Sequence, residues 1–182
     1  MSGPNFGSLC ADPPWKFGNT RTRAAAENHY KTLEEHEIAA FTIHGYPVHQ
    51  VMAENAHLYL WTTDSHLESA LRVMRVWGFE PKQTIVWIKV SENGKVQIGL
   101  GNWYRHAHEI CLFGTRGSAL ARVRDLPSVF WAPRGKHSSK PEQLQDWAEQ
   151  LSPGPYIELF ARRQRPNWYC FGDQVQGVLT GT

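Results

Sequence analysis

Four consecutive residues, Asp12-Pro13-Pro14-Trp15, carry the most distinctive chemistry in this chain of 182 residues. Proline fixes φ and has no N–H. Two in a row strip the corner of donors, so the carbonyls around them are expected to point outward, unpaired, beside the Asp12 carboxylate. The result is a small pocket of acceptors with an indole at its side. Such a pocket suits a planar –NH2 group, of the kind adenine and cytosine carry, with the base stacked on the ring. The structural alternative is a strand-ending turn in which Asp12 caps and Trp15 packs in the core. A second polar cluster, Glu158-Leu159-Phe160-Ala161-Arg162-Arg163, also follows directly on an apolar run. His106-x-His108 could begin a metal site, but no third and fourth ligand stands nearby, so these histidines read as structural or solvated and no metal is expected. Trp103, Trp131, Trp147 and Trp168 read as core.

The elements that must position these residues alternate in type. Residues 6–11 read as a strand ended by Asp12, and 15–30 as a long polar, basic loop. Residues 32–41 read as a helix, with Thr32 as cap and Glu35 completing a capping box. A strand follows at 57–61. Residues 65–77 form a helix with Leu67, Leu71, Met74 and Trp77 at helical spacing. Further strands are expected at 84–90, 109–113, 128–131, 156–160 and 168–171, with a turn at Asn93-Gly94 and a helix over 141–151 that has proline in its first turn. Strands alternating with helices predict a single α/β domain over residues 1–182 with a largely parallel sheet. Ligands of such sheets sit at the C-terminal ends of the strands. The Asp12 and Glu158 clusters, at opposite ends of the sequence, both stand at strand ends that a sheet could bring together. No glycine-rich fingerprint follows the first strand, which argues against a dinucleotide-binding oxidoreductase.

Composition narrows the class. Hydrophobic residues make up 41% and charged residues 20% of the chain, enough apolar material for a packed core. No apolar run approaches a bilayer span, and no secretory signal is visible at the N-terminus, so no membrane partner is expected. Cys10, Cys111 and Cys170 are odd in number and widely spaced, each within an apolar run, which suits buried reduced thiols in a cytoplasmic setting. The net charge of +2 is uneven: residues 101–140 hold seven basic side chains against Glu109 and Asp125. A basic stretch of this kind suits a polyanionic partner.

Taken with the downstream segments, the Asp12 motif resembles the adenine-6-amino methyltransferases of the mRNA adenosine methyltransferase (MT-A seventy) family, in the manner of its small bacterial or phage members. The resemblance runs from Phe6 to about Gln174. His29-Tyr30 with Thr32 is similar to the loop after the motif. Gly101-Asn102-Trp103-Tyr104-Arg105 and Glu109-Ile110-Cys111-Leu112 resemble a central strand signature. His137-Ser138-Ser139-Lys140-Pro141-Glu142 resembles a second active-site loop. The segment from Glu158 to Arg162 resembles the cofactor strand, and Pro166-Asn167-Trp168 with Gly172-Asp173-Gln174 the closing segment.

The resemblance implies a Rossmann-like methyltransferase in permuted order, with the Asp12 strand first and the strand for S-adenosylmethionine near the end. It implies methylation of the 6-amino group of adenine in nucleic acid, DNA before RNA. Asp12 and Pro13 would accept hydrogen bonds from the amino group, with Pro14 stiffening the corner and Asp12 also beside the cofactor. Trp15 and Tyr30 would stack on the base. Lys140 would pair with the methionine carboxylate, Phe160 would pack on the cofactor, and Glu158 would lie in the cofactor strand. Arg162 and Gln164 would reach the ribose, and Asp173 and Gln174 the adenine or ribose. Arg105, Lys136 and His137 fall on the substrate side. Glu109 would face the base or pair with a neighbouring arginine. Loops 16–30 and 132–140 are expected to close over the base. The chain departs from the family in three places. The first strand lies close to Met1, so an upstream strand that covers the cofactor adenine is missing or replaced. Gln164 and Asp173 also differ from the usual residues. The expected partners are nucleic acid and a second subunit, in a homodimer that lays one subunit's basic face beside the other's pocket or in a heterodimer. Rival readings are a non-catalytic nucleic-acid-binding subunit that supports another enzyme, and methylation of a protein glutamine or small amine.

Overall fold

A strand covered on both faces buries every residue, and β1 (Phe6–Ala11) does so along its whole length. Its side chains alternate between two cores, Leu9 and Ala11 on one face and Cys10 on the other. The computed structural model describes residues 5–16, 32–101, 103–135, 139–172 and 175. After β1 come α1 (Glu35–Ala39), a small hairpin of β2 (Thr42–Ile43) and β3 (Tyr46–Pro47), α2 (Val48–Val51) and β4 (Met52–Thr62). A 3-10 turn at Asp64–His66 leads into α3 (Leu67–Val76), β5 (Glu80–Val90) and β6 (His108–Arg116). Then follow β7 (Val129–Pro133), α4 (Gln143–Leu151), β8 (Tyr156–Leu159) and β9 (Trp168–Phe171).

Among the described residues seven of these strands form one sheet in the order β7-β5-β6-β4-β1-β8-β9. Neighbours pair in parallel except at β6, which runs against both β4 and β5. The expected α/β fold with a largely parallel sheet is what the chain forms. α3 covers one face with Val73, Met74 and Trp77, and α4 covers the other with Leu144 and Ala148. All three cysteines are buried and unpaired. No helix among the described residues is long and apolar enough to cross a membrane.

Two expectations need correction. The first helix does not start at Thr32. Leu33 N–H bonds the Pro14 carbonyl at 2.8 Å and the Lys16 N–H bonds the Leu33 carbonyl at 3.1 Å, so the backbone there is extended. The cap moves to Glu34, whose N–H donates to Glu37 Oε2 at 2.8 Å. The capping box is therefore shifted by two residues from Thr32/Glu35. Of the tryptophans read as core, Trp168 is buried and Trp147 packs edge-on against Phe130, but Trp131 is 56% and Trp103 96% exposed. β7 is an edge strand, which leaves one side of Trp131 unshielded.

A buried polar chain ties the sheet to the end of α4. His57, Tyr59 and Ser152 are all buried, with Ser152 Oγ 2.8 Å from His57 Nδ1 and 2.7 Å from the Tyr59 hydroxyl. His57 Nε2 faces the Ala119 carbonyl at 3.4 Å. A carbonyl only accepts, so Nε2 holds the proton, Nδ1 accepts from Ser152, and Ser152 accepts from Tyr59. Burial lowers the proton affinity of His57, which keeps that neutral arrangement. Ser152→Ala would leave the Tyr59 hydroxyl and His57 Nδ1 without this partner, at a cost of about 1–3 kcal/mol. Urea unfolding at neutral pH measures it, and a loss within about 0.5 kcal/mol, the range of surface substitutions, would show that the chain contributes nothing.

Candidate active site

The site follows from register. Ala11 pairs with Leu60 on one side and Leu159 on the other, all in parallel, so Asp12, Trp61 and Phe160 emerge together at one edge of the sheet. Because β6 is antiparallel, its beginning lies at that edge, and Glu109 stands opposite Trp87 of β5. Lys140 comes from the segment before α4. A cleft of about 240 Å³ lies here, lined among others by Asp12, Trp61, Lys140, Glu158, Phe160 and Arg162. A second cleft, of about 350 Å³, contains Asp64, Lys89, His106, His108 and Glu109.

Between the clefts runs a chain of alternating charges. Lys140 Nζ lies 2.8 Å from Asp12 Oδ1 and 2.9 Å from Oδ2, and 3.1 Å from Glu109 Oε2. Glu109 Oε1 lies 2.6 Å from Lys89 Nζ. Each ammonium also approaches an indole, Lys140 over Trp61 at 5.6 Å and Lys89 over Trp87 at 5.4 Å. Burial opposes the charge on Lys140, but Asp12 and Glu109 outweigh it and hold the ammonium above the usual lysine range. Burial likewise pushes Glu109 up, and Lys140 and Lys89 outweigh that, leaving it below the ordinary carboxylate value.

The Asp12 corner and its neighbours differ from expectation in four respects. Its proline carbonyls are engaged: Pro13 accepts from Trp15 N–H at 2.9 Å and Pro14 from Leu33 N–H at 2.8 Å, so each offers only its remaining lone pair. Trp15 is 5% exposed, donates from Nε1 to the Trp61 carbonyl at 3.0 Å, and stacks on His66 with ring centroids 5.5 Å apart. An indole so placed stiffens the corner, and the His66 ring covers its face where a base was expected. The ammonium of Lys140, expected to be open to a carboxylate, already holds Asp12 and Glu109. The partners of Glu109 are two lysines, where an arginine or a base had been the alternatives.

The other expected residues divide between clefts. Phe160, at φ +60°, lies 4.7 Å from Phe41 between ring centroids and faces the first cleft. A left-handed phenylalanine is costly and is held where surroundings over-determine it. Here a Cβ on Gly172 would come within 2.4 Å of the Ala161 carbonyl, so only glycine lets β9 close against this turn. Glu158 accepts from Gln145 at 2.8 Å, and burial holds its carboxyl above the usual range. Arg162 lines the same cleft, whereas Gln164 lines a neighbouring groove with Arg165 and Asn167. Arg105 is exposed on the approach to β6. Tyr30, Lys136, His137, Asp173 and Gln174 lie outside the described residues, as do most of loop 16–30 and part of loop 132–140. Lys89 and Gln145 were missed. A lysine inside an otherwise apolar strand, and a glutamine on the apolar face shared by Leu144 and Ala148, were the signals available.

The cleft opens at the C-terminal ends of the parallel strands, where α/β sheets of the doubly wound type hold their ligands. The chain belongs to the MT-A70 family, whose model matches residues 6–174. It is 31% identical over 179 residues to the human N(6)-adenosine-methyltransferase catalytic subunit METTL3, and 31% identical to the Drosophila melanogaster MT-A70-like protein. Those alignments cover 95% of this chain but 29% and 27% of the relatives, so the chain spans under a third of their length. A type II methyltransferase, M.MunI from a Mycoplasma, is 26% identical over 92% of this chain and 76% of its own.

Folding lowers the proton affinity of Glu109, so the unfolded chain binds that proton more tightly. The stabilisation from this group is complete above the unfolded carboxylate value of about 4.3 and drains away as the pH falls through the lower folded value. Urea unfolding over that acid range should show a shallower loss of stability for Glu109→Gln than for the parent. Equal slopes would mean that the lysines do not hold Glu109 in its charged form.

Proposed function

We propose that this chain transfers a methyl group from S-adenosylmethionine to the 6-amino group of adenine in a nucleic acid strand. The observation that carries the proposal is the Asp12 carboxylate at the end of β1, held on Lys140 at the mouth of a cleft that Phe160 and Glu158 line, in a chain of this family. The relatives include both N(6)-adenosine-methyltransferases and a type II methyltransferase, so DNA and RNA both stand as the acceptor. In this reading the sheet is a Rossmann-like methyltransferase core in permuted order, the Asp12 strand β1 coming first and the cofactor strand β8 near the end.

The side chains of the cleft fit the cofactor. Its hydroxyls match the Glu158 carboxylate and Arg162, an apolar face matches the Phe160 ring, and its carboxylate would share the Lys140 ammonium with Asp12 and Glu109. When bound it supplies an electrophilic methyl on a sulfonium. Asp12 accepts hydrogen bonds from the amino group, which localises a lone pair otherwise delocalised into the ring, and takes up the proton the nitrogen sheds after transfer. Pro13 adds the remaining lone pair of its carbonyl. Pro14 and Trp15 hold the corner rigid, and a rigid corner is what an in-line approach requires. Lys140 and Glu109 fix the Asp12 carboxylate in orientation.

Asp12→Asn keeps the shape of the corner and removes the charge. It should lower the transfer rate by about 10²-fold or more with labelled S-adenosylmethionine and matched single- and double-stranded DNA and RNA oligonucleotides. Equal transfer by the variant would remove Asp12 from the chemistry. Label appearing only in polypeptide would replace the nucleic acid reading with protein glutamine methylation.

A further inference from the structure

The segment between β5 and β6 forms an arm whose root is fastened and whose tip is bare. The root is pinned by backbone bonds from Gln97 N–H to the Lys89 carbonyl, Gly99 N–H to the His106 carbonyl (both 2.7 Å), and Lys89 N–H to the Ala107 carbonyl at 2.8 Å. At the tip Trp103 is 96% and Tyr104 91% exposed. A Cβ on Gly101 would fall 1.9 Å from the Tyr104 carbonyl, so this close backbone approach is open only to glycine at position 101. Two adjacent large rings left in water are unfavourable for the isolated fold.

The surroundings of the rings indicate what covers them. Between Glu92 and Glu109 the sequence has no acidic residue, while Lys95, Arg105, His106 and His108 all fall in that interval. From just after β7 the Arg134 guanidinium reaches the arm, 3.3 Å from where a Gly99 Cβ would stand. The arm ends in the second cleft: His106 and His108 each face Asp64 at 3.6 Å, and Glu109, in the same cleft, joins Lys140 and through it Asp12. Bare aromatic faces beside cations form the usual platform for unpaired bases, with the cations following the phosphates.

The geometry points to a second binding site, in which Trp103 and Tyr104 stack an unpaired base neighbouring the target adenine, with Arg105 and Arg134 on the adjoining phosphates. The substrate is then a single-stranded or locally opened segment. This inference rests on the methyl-transfer reading for the identity of the target. The stacking itself is measured without it.

The test uses a fluorescently labelled single strand of about twelve thymidines with one central adenine, and the same strand with abasic positions on both sides of the adenine. Trp103→Ala and Tyr104→Ala should each weaken anisotropy-measured binding of the intact strand roughly tenfold, and Trp103→Phe should restore it. Melting temperature should be unchanged, since the rings are exposed. KM for the strand should rise in the same proportion, with kcat within about twofold of the parent. The abasic strand should bind parent and variants equally weakly. Undiminished binding of the intact strand by both alanine variants would overturn the inference. So would a change from oligomer to monomer in sedimentation with strand affinity per protomer unchanged, which would make the arm a protein-docking surface. Methyl transfer by the parent with unaffected variants would sink the arm and leave the reading of Asp12 standing. Weakened binding with no transfer by the parent would do the reverse.

Discussion

One ammonium ties together segments that the sequence keeps far apart. Lys140 and Asp12 are 128 residues apart, and Lys140 holds the start of β6 as well, through Glu109. Taking such charges out of water is expensive, and their attraction repays the cost only when the geometry is good and the partners are complete. The requirement is met by balance. Two lysines alternate with two carboxylates, and an indole lies beneath each ammonium. No member can be removed without leaving another uncompensated, so the chain of charges acts more on register than on net stability. It sets the approach to α4, the end of β1 and the beginning of β6 in one arrangement.

The antiparallel direction of β6 is what makes this possible. Had β6 run with its neighbours, its end and not its beginning would lie at the edge where Asp12 emerges, and Glu109 would stand at the far side of the sheet. The same reversal has a second consequence. A hairpin-type connection between β5 and β6 must project from the site edge, so the arm carrying Trp103 and Tyr104 hangs beside the cleft. Topology thus places both the buried charges and the exposed rings around one point, although nothing in the local sequence of either requires it.

Much of this was legible beforehand because it depends on period and on punctuation. Apolar runs marked the strands, and the proline pair marked where β1 stops. The apolar spacing of Leu67, Leu71 and Met74 marked α3. The start of α1 was misread because backbone pairing of Leu33 with Pro14 and Lys16 overrides a local capping preference, and such pairing joins residues far apart in sequence. Asp12, Lys140, Glu158 and Phe160 were singled out in the sequence, and the structure gathers them at one cleft. Their partners were not legible. An ion pair between positions 12 and 140 has no periodic signature, and Lys89 and Gln145 show only as polar residues in apolar company.

Tryptophan shows where reading by residue type fails. Trp15 was expected to stack on a base, with core packing as the alternative, and Trp103 to be core; the structure buries the first and exposes the second. The difference lies in the neighbours. Trp15 follows a fully buried strand, its N–H is satisfied by the Trp61 carbonyl, and His66 closes over its face, so its ring serves rigidity. Trp103 follows Gly101 between β5 and β6, outside the sheet, and is 96% exposed. In the methyl-transfer reading, a rigid corner and an open platform are different needs of one substrate: the reacting base must be held without play, whereas its neighbour needs only a face to lie on. Separating the two onto different indoles lets the corner stay closed and stiff while the arm, fastened at its root alone, accepts whatever base comes next.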